Sequence, residues 1–240
     1  TTALIFQNAK IPAENLLYEV GKGATIAFNV LNIGRFKLGA SSVGGSKNAI
    51  EAASKYAKER RAFGEPIAKF DAIIKKIANM TVRTFSADSM VYRTIGLLQN
   101  EIDQLDSSDP DYYIKSGEAM EHFAIETSMA KVYGSETSDF VVNEGLQIFG
   151  GYGFLEEYHL ASAYRDDRIN QIWEGTNEIN RQIITGFMMK KALMEELPIR
   201  EAVSKIDAFM SNGKLGNNDG PLAAECETIE TGKRLELFVF

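Results

Sequence analysis

The stretch that decides the fold runs from residue 24 to residue 60 and reads ATIAFNVLNIGRFKLGASSVGGSKNAIEAASKYAKER. It contains no proline and many good helix formers, which predicts one long helix. Four glycines interrupt it, at Gly34, Gly39, Gly44 and Gly45, and each costs a helix about 1 kcal/mol relative to alanine. Because glycines inside a helix often allow a neighbouring backbone to approach closely, we expect this helix to pack tightly against another.

Two more long helices are predicted downstream of this stretch. An apolar stripe at helical spacing reaches about Leu98, and it is formed by Phe70, Ile73, Ile74, Ile77 and Met80. Polar residues 103–110 end it, and Asp109-Pro110 is typical of a helix N-cap followed by proline at the first helical position. A third helix is therefore predicted from about Asp111 to Phe149, with an apolar face that contains Ile125, Met129 and Val132.

A fourth helix is predicted from about Asn177 to Met194. Long helices joined by short polar loops bury their stripes by lying antiparallel, so the predicted fold class is all-α, an up-and-down four-helix bundle over residues 23–195. A remnant β-strand at Ala3–Phe6, within residues 1–22, precedes the bundle. A C-terminal extension over residues 196–240 follows it, with a helix at Glu201–Met210, a linker at 211–221 and a helical stretch at 223–240.

Composition excludes several classes of protein. Of the 240 residues, 45% are hydrophobic and 25% charged, and the net charge of −7 argues against a nucleic-acid-binding surface. No apolar run reaches the roughly 18 residues of a membrane span, and one cysteine, Cys226, excludes an internal disulfide framework. His122 and His159 lack the companions of a metal site. Since the apolar run at residues 3–6 has nothing before it with which to pair, we expect the chain to derive from a longer parent.

Two glycine-containing clusters are candidate ligand sites. Residues 59–64, ERRAFG, are either a helix C-terminus with cations that complement the dipole or a phosphate clamp, because arginine offers bidentate donors to phosphate oxygens. Residues 147–154, QIFGGYGF, carry three glycines that let a backbone approach a ligand closely. An ordinary interhelical loop explains the second cluster equally well, and the absence of a preceding strand excludes a Rossmann fingerprint.

A third cluster, residues 164–176, reads YRDDRINQIWEGT and contains the candidate base. Glu174 lies between the only tryptophan and a glycine. Ile172 and Trp173 are predicted to exclude water from its carboxylate, which would favour proton transfer. The simpler interpretation is that Glu174 or Thr176 only caps the following helix.

These clusters together resemble the acyl-CoA dehydrogenase family over about residues 1–190. The resemblance rests on an ordered set of motifs: LIF at 4–6, IPAENLL at 11–17, NVLNIGRF at 29–36, RRAFG at 60–64, the 147–154 loop and the 164–176 segment. It implies a chain that begins in the last strand of a middle β-domain and contains the whole C-terminal bundle. The extension looks similar to that of the very-long-chain type of acyl-CoA dehydrogenase.

The resemblance also implies roles for individual residues. Glu174 matches the catalytic base, which removes the pro-R α-proton while a hydride leaves the β-carbon for the flavin, giving a trans-2-enoyl-CoA. Asn32, Arg35 and Gly175 match substrate-binding positions, and Arg35 stands where some members carry their base instead. Contacts with FAD are implied at Arg60, Phe63, Phe70, Gln147, Gly150, Gly151, Thr176 and Glu178. The family similarity implies that Arg60 and the 147–151 loop act on the flavin of a neighbouring subunit.

The implied partners are an acyl-CoA substrate, an electron-transferring flavoprotein and further copies in a homodimer or homotetramer. Membrane association of the extension is conceivable, and the compartment depends on the source: cytoplasmic in a bacterium, mitochondrial in a eukaryote. Two alternatives stay open. One is an acyl-CoA oxidase or another flavin relative. The other is a catalytically inactive, self-associating helical fragment without flavin.

Overall fold

The computed structural model describes residues 2–206 and 220–239, and its secondary structure is almost entirely helical. A two-stranded antiparallel hairpin, β1 (Arg61–Ala62) and β2 (Glu65–Pro66), follows the first helix. The helices are α1 (Gly23–Glu59), α2 (Asp71–Ile102), α3 (Tyr112–His122), α4 (Ala124–Phe149), α5 (His159–Asp167), α6 (Asn177–Leu193), α7 (Ile199–Ser204) and α8 (Ala223–Val239). The predicted all-α class is confirmed, and α1, α2 and α6 have bounds within a few residues of those predicted.

Consecutive long helices run antiparallel, as predicted. Lys47 of α1 pairs with Asp88 of α2 at 2.9 Å. Between α2 and α4, Lys76 pairs with Glu144, and Arg83 lies over the ring of Phe140. The residue numbers rise along α2 as they fall along α4, so these two helices are antiparallel. Between α1 and α4, Gly39 contacts Ala130, and the rings of Tyr56 and Phe149 stack. The residue numbers rise along both helices, so α1 and α4 are parallel. Helices α1, α2 and α4 therefore run up, down and up.

Helix α4 lies at the centre of the bundle because its small side chains allow neighbours to approach on every side. A β-carbon on Gly39 would lie 2.7 Å from the carbonyl oxygen of Ala130, and one on Gly134 would lie 3.1 Å from the Cα of Gly39. Glycine-mediated packing of α1 is thus confirmed at Gly39. It is wrong for Gly44, whose surroundings in the described structure leave 4 Å of open space.

Several predictions about elements are wrong. Residues 3–6 form no strand, since a strand needs a partner and the described residues offer none; Leu4, Ile5 and Phe6 are about four-fifths exposed. The third helix, predicted from Asp111 to Phe149, is interrupted at Phe123, which separates α3 from α4 although phenylalanine is no helix breaker. Helix α5 was not predicted. Two residues assigned to apolar faces, Ile74 and Met129, are substantially exposed.

The chain divides into two compact units, residues 1–184 and 185–240. The domain boundaries at residues 22 and 195 stay predictions. In the second unit, helix α8 agrees with the predicted helical stretch, and α7 covers the start of the helix predicted at 201–210. The rest of that helix, and most of the linker at 211–221, lie outside the described residues. Among the helices described, none is both long and apolar enough to span a bilayer.

Candidate active site

The candidate base lies in a strained turn between α5 and α6. After α5 the chain forms a 3-10 turn at Arg168–Gln171 and then reverses, with φ of 55° at Glu174 and 78° at Gly175. Glycine adopts this left-handed conformation freely, but an L-residue with a side chain does so at a cost of about 1–2 kcal/mol. Such strain concentrates at functional sites, and Glu174 is one of five described non-glycine residues with positive φ.

The Glu174 carboxylate occupies the space that a side chain at position 34 would fill. A β-carbon built on Gly34 would lie 2.4 Å from Oε2 and 2.8 Å from Oε1 of Glu174. Oε2 is buried and has no hydrogen-bond partner within the described part of the chain. A buried acceptor left without a donor is costly and calls for an explanation. A carboxylate kept ready to accept a proton from a bound substrate provides one.

This contact corrects the comparison made at position 35. Arg35 does not stand where a base on α1 would meet the site; Gly34 does, since it is the residue that faces the carboxylate. Arg35 instead donates from Nε to the carbonyl oxygen of Glu174 (3.3 Å) and from Nη1 to Oδ1 of Asn32 (2.7 Å). Burial lowers the pKa of the Arg35 guanidinium, and the negative charge of Glu174 opposes that shift. A glycine at position 34 carries no competing base, so Glu174 keeps its assignment.

The two apolar neighbours of the base do not cover it as predicted. Ile172 is 47% exposed and Trp173 is 51% exposed. Helix α1 contacts the carboxylate at Gly34, and Oε2 is buried although Ile172 and Trp173 are half-exposed.

Thr176 has the capping role that the simpler interpretation predicted. Its Oγ1 accepts a hydrogen bond from the backbone N–H of Ile179 (3.3 Å), which satisfies one free donor at the start of α6. The backbone N–H of Glu178 and the Thr176 hydroxyl together hold the pKa of the exposed Glu178 carboxyl below its usual value. Contacts of Thr176 and Glu178 with FAD stay predictions.

Sequence reasoning missed two residues beneath the turn. Lys131 of α4 is completely buried, and its Nζ donates to the carbonyl oxygen of Gly175 (2.8 Å) and to Oδ1 of Asn177 (2.6 Å). Asn180 of α6 is also completely buried and donates from Nδ2 to the carbonyl oxygens of residues 174, 175 and 176. One signal was available for Lys131, because a lysine is unusual in a helical segment composed of small and apolar residues.

A second group of predicted residues meets at the C-terminal end of α1. Arg60 follows the last residue of α1, and its guanidinium carbon lies 5.5 Å from the centre of the Tyr152 ring. Gly150 has φ of 61° where α4 ends. Arg60, Gly150 and Gly151 line one cavity of about 450 Å³. No described atom comes within 4 Å of a β-carbon built on either glycine, so this loop leaves room for a ligand beside an arginine.

The remaining predicted cofactor residues are more loosely placed. Phe63 is 98% exposed, has φ of 51° and meets the ring of Phe70 edge to face at 6.2 Å. Gln147 is exposed on the last turn of α4 and is not among the described residues that line the cavity. Phe63 and Gly64 form the two-residue loop that joins β1 to β2, and the positive φ at both residues (51° and 86°) is what a type I′ hairpin turn requires.

The two groups are far apart within one chain. Arg35 and Arg60 are separated by 25 residues along a continuous helix, which corresponds to about 38 Å at 1.5 Å per residue. The candidate base therefore lies beside the N-terminal third of α1, and the candidate phosphate clamp lies at the C-terminal end of this helix.

Comparisons with known proteins identify the family of this chain. Residues 21–189 match the family described as acyl-CoA dehydrogenase, C-terminal domain. A probable acyl-CoA dehydrogenase of Bacillus subtilis is 44% identical over 239 residues, which cover 99% of this chain and 40% of the relative. The short-chain specific acyl-CoA dehydrogenase of Megasphaera elsdenii is 36% identical over 79% of this chain and 45% of its own length.

Solved structures give the same result. The crystal structure of an acyl-CoA dehydrogenase complexed with FAD from Bacillus anthracis matches with a TM-score of 0.93 at 44% identity, over 98% of this chain and 40% of that one. Butyryl-CoA dehydrogenase from Megasphaera elsdenii matches with a TM-score of 0.64 at 35% identity, over 77% of this chain and 43% of its own. The chain thus spans less than half the length of these relatives. It belongs to the acyl-CoA dehydrogenase family and contains that family's C-terminal helical domain.

Proposed function

We propose that this chain is the C-terminal part of a flavoenzyme that converts acyl-CoA thioesters to trans-2-enoyl-CoA, with Glu174 as the catalytic base. The buried, unpartnered Oε2 of Glu174 against Gly34 is the observation that carries the proposal. An α-proton of a thioester is only weakly acidic, so its removal needs a positioned base and stabilisation of the developing enolate. The turn supplies the first by holding the carboxylate in one place.

The residues at the far end of α1 fit FAD. An arginine beside two open glycines provides charge and close backbone approach, which suit a pyrophosphate. When bound, FAD accepts the hydride that leaves the β-carbon of the substrate. Arg60, Gly150 and Gly151 would hold its phosphates, and Thr176 and Glu178 would lie near it at the base.

The distance between these groups supports a shared site. Arg35, which contacts the turn at Glu174, is about 38 Å along α1 from Arg60, which is further than one flavin dinucleotide reaches. We therefore propose that Arg60 of one subunit and Glu174 of another serve the same flavin, which requires at least a homodimer. The 240-residue chain by itself is then a helical module that does not catalyse, and we expect it to purify without flavin absorbance.

Chain length and electron acceptor belong to the same proposal. The Bacillus subtilis relative matches nearly the whole chain, including the extension, whereas the short-chain relative from Megasphaera matches about four-fifths of it. This difference sets the chain apart from the short-chain relative. We propose a longer acyl chain as the substrate and an electron-transferring flavoprotein as the electron acceptor. An acyl-CoA oxidase is the alternative, and an oxidase of a prolyl acyl carrier protein shares the fold at 27% identity.

The test uses the full-length gene product with FAD bound. Anaerobic addition of palmitoyl-CoA is expected to bleach the flavin and yield an enoyl-CoA, with higher kcat/KM than octanoyl-CoA or butyryl-CoA. Electrons should then pass to an electron-transferring flavoprotein and not to oxygen. Rapid formation of peroxide would support the oxidase, and a flavin that none of the three thioesters bleaches would contradict the proposed reaction.

A further inference from the structure

The turn that carries Glu174 needs external support. Two consecutive left-handed residues, Glu174 and Gly175, direct their carbonyl groups into the bundle. Strain of this kind persists only where the surroundings over-determine the conformation. The carbonyl oxygens of this turn therefore need hydrogen-bond donors from other segments of the chain.

Three buried donors from three different helices bind them. The carbonyl oxygen of Glu174 accepts hydrogen bonds from Nε of Arg35 and Nδ2 of Asn180, each at 3.3 Å. The carbonyl oxygen of Gly175 accepts hydrogen bonds from Nδ2 of Asn180 and Nζ of Lys131, each at 2.8 Å. Arg35 and Asn180 have other reasons to be present, since Arg35 also binds Asn32 and Asn180 continues α6.

Lys131 is the only one of the three donors whose charge is completely buried. Its ammonium is removed from water and makes no ion pair in the described residues, although burying a lysine is costly. Its second recorded contact is Oδ1 of Asn177, which is itself held by Nδ2 donating to Oγ of Ser135 (3.1 Å). The hydrogen bond to Asn177 thus fixes the position of the Lys131 ammonium, which also donates to the Gly175 carbonyl oxygen.

From this arrangement we propose that Lys131 is a positioning residue, whose buried ammonium holds the Gly175 carbonyl and thereby keeps the Glu174 carboxylate directed at the substrate position. The inference rests on the proposed function of Glu174. A side chain buried beneath the turn does not touch substrate, so its effect should appear in kcat and not in KM.

The charge of Lys131 gives this role a pH dependence. Burial lowers the pKa of Lys131 to about 8. The carboxylates of Glu178 on α6, Glu136 on α4 and Glu174 in the turn partly oppose this shift, whereas the positive charge of Arg35 on α1 adds to it. Above that pH the donor becomes a neutral amine, whose hydrogen bonds are about half as strong as those of an ammonium.

The principal test replaces Lys131 by methionine, which keeps the length of the stem and removes the donor. In the full-length holoenzyme, Lys131→Met is expected to lower kcat at least about tenfold, because small misplacements of a catalytic group are expensive. KM for palmitoyl-CoA should change less than about threefold and FAD content should be unchanged. Ser128→Ala is the matched control: Ser128 lies one turn earlier on α4, and its buried Oγ has no partner in the described structure.

The pH profile separates positioning from a structural role. Wild-type kcat should fall by about fivefold as the pH rises through about 8, and this decrease should be missing in Lys131→Met. A variant that unfolds earlier but keeps wild-type kcat and its decrease near pH 8 would overturn the proposal. Should Lys131→Met fail to fold, a wild-type profile that is flat through pH 8 would overturn it as well. If Glu174→Gln is fully active, the base assignment itself has failed; if only Lys131→Met is active, the positioning role alone has failed.

Discussion

At the scale of single residues, the site depends on a contact between positions 140 apart in the sequence. The motif around Glu174 predicts the base, and helical glycines predict close packing, but no local pattern connects Gly34 with Glu174. The tertiary fold makes that connection by placing the open position of α1 under the carboxylate. The same reason explains the missed Lys131, whose partners Gly175 and Asn177 belong to a distant segment.

Another buried carboxylate, Asp167 at the end of α5, provides a test of burial and charge near the site. Its Oδ1 accepts hydrogen bonds from Ser138 (2.6 Å) and Asn170 (3.1 Å), whereas the buried Oδ2 has no partner in the described residues. Burial raises the pKa of Asp167 against the effect of these two donors. The folded protein therefore binds this proton more tightly than the unfolded chain does, and the resulting stability is lost as the pH rises through the raised pKa.

Asp167→Asn is expected to raise Tm at pH 7, since the neutral amide keeps the acceptor oxygen and removes the buried charge. The gain should shrink as the pH is lowered below the ordinary pKa of an aspartate, where the wild-type carboxyl is protonated in both states. The neighbouring and exposed Asp166→Asn serves as the control in thermal unfolding at both pH values. An equal rise in Tm for both variants would contradict this explanation.

At the scale of elements, the long helices were predictable and their interruptions were not. Periodic apolar residues and proline positions located α1, α2 and α6 because these signals are local. The break at Phe123 has no such signal. The strand predicted at residues 3–6 was wrong because a strand forms only through pairing, which no single segment encodes. Helix α5 is short and polar, so its helicity depends on packing against α4 more than on its own sequence.

The contact between α1 and α4 is the element-scale prediction. Gly39→Ala places a methyl group 2.7 Å from a backbone oxygen of α4, so we expect a loss of about 1–3 kcal/mol in the free energy of unfolding. Gly44→Ala, on the same helix with open space around it, should instead gain up to about 1 kcal/mol from helix propensity. Denaturant unfolding of the two variants measures both values. Similar effects of the same sign would show that the helices do not approach as described.

At the scale of the whole molecule, α1 separates two half-sites. In the full-length protein, Glu174→Gln and Arg60→Ala should each be inactive alone, because one lacks the base and the other the phosphate contact. If each flavin is shared between subunits, random pairing of the two into dimers leaves one intact site in half of them, or about a quarter of wild-type activity. Co-expression followed by assay measures this recovery. An absence of recovery, with mixed dimers confirmed by mass spectrometry, would mean that each chain serves its own flavin.

The central claim is that Glu174 removes the α-proton, and single-turnover reduction of the bound flavin tests it most directly. Glu174→Gln keeps the size of the side chain and its backbone contacts but removes the base, while Glu157→Gln in the exposed loop before α5 is the control. After anaerobic mixing of the full-length holoenzyme with saturating palmitoyl-CoA, we expect the bleaching rate of Glu174→Gln to fall by about 10³-fold, with FAD retained and the control unchanged. Bleaching at the wild-type rate in Glu174→Gln would contradict the account.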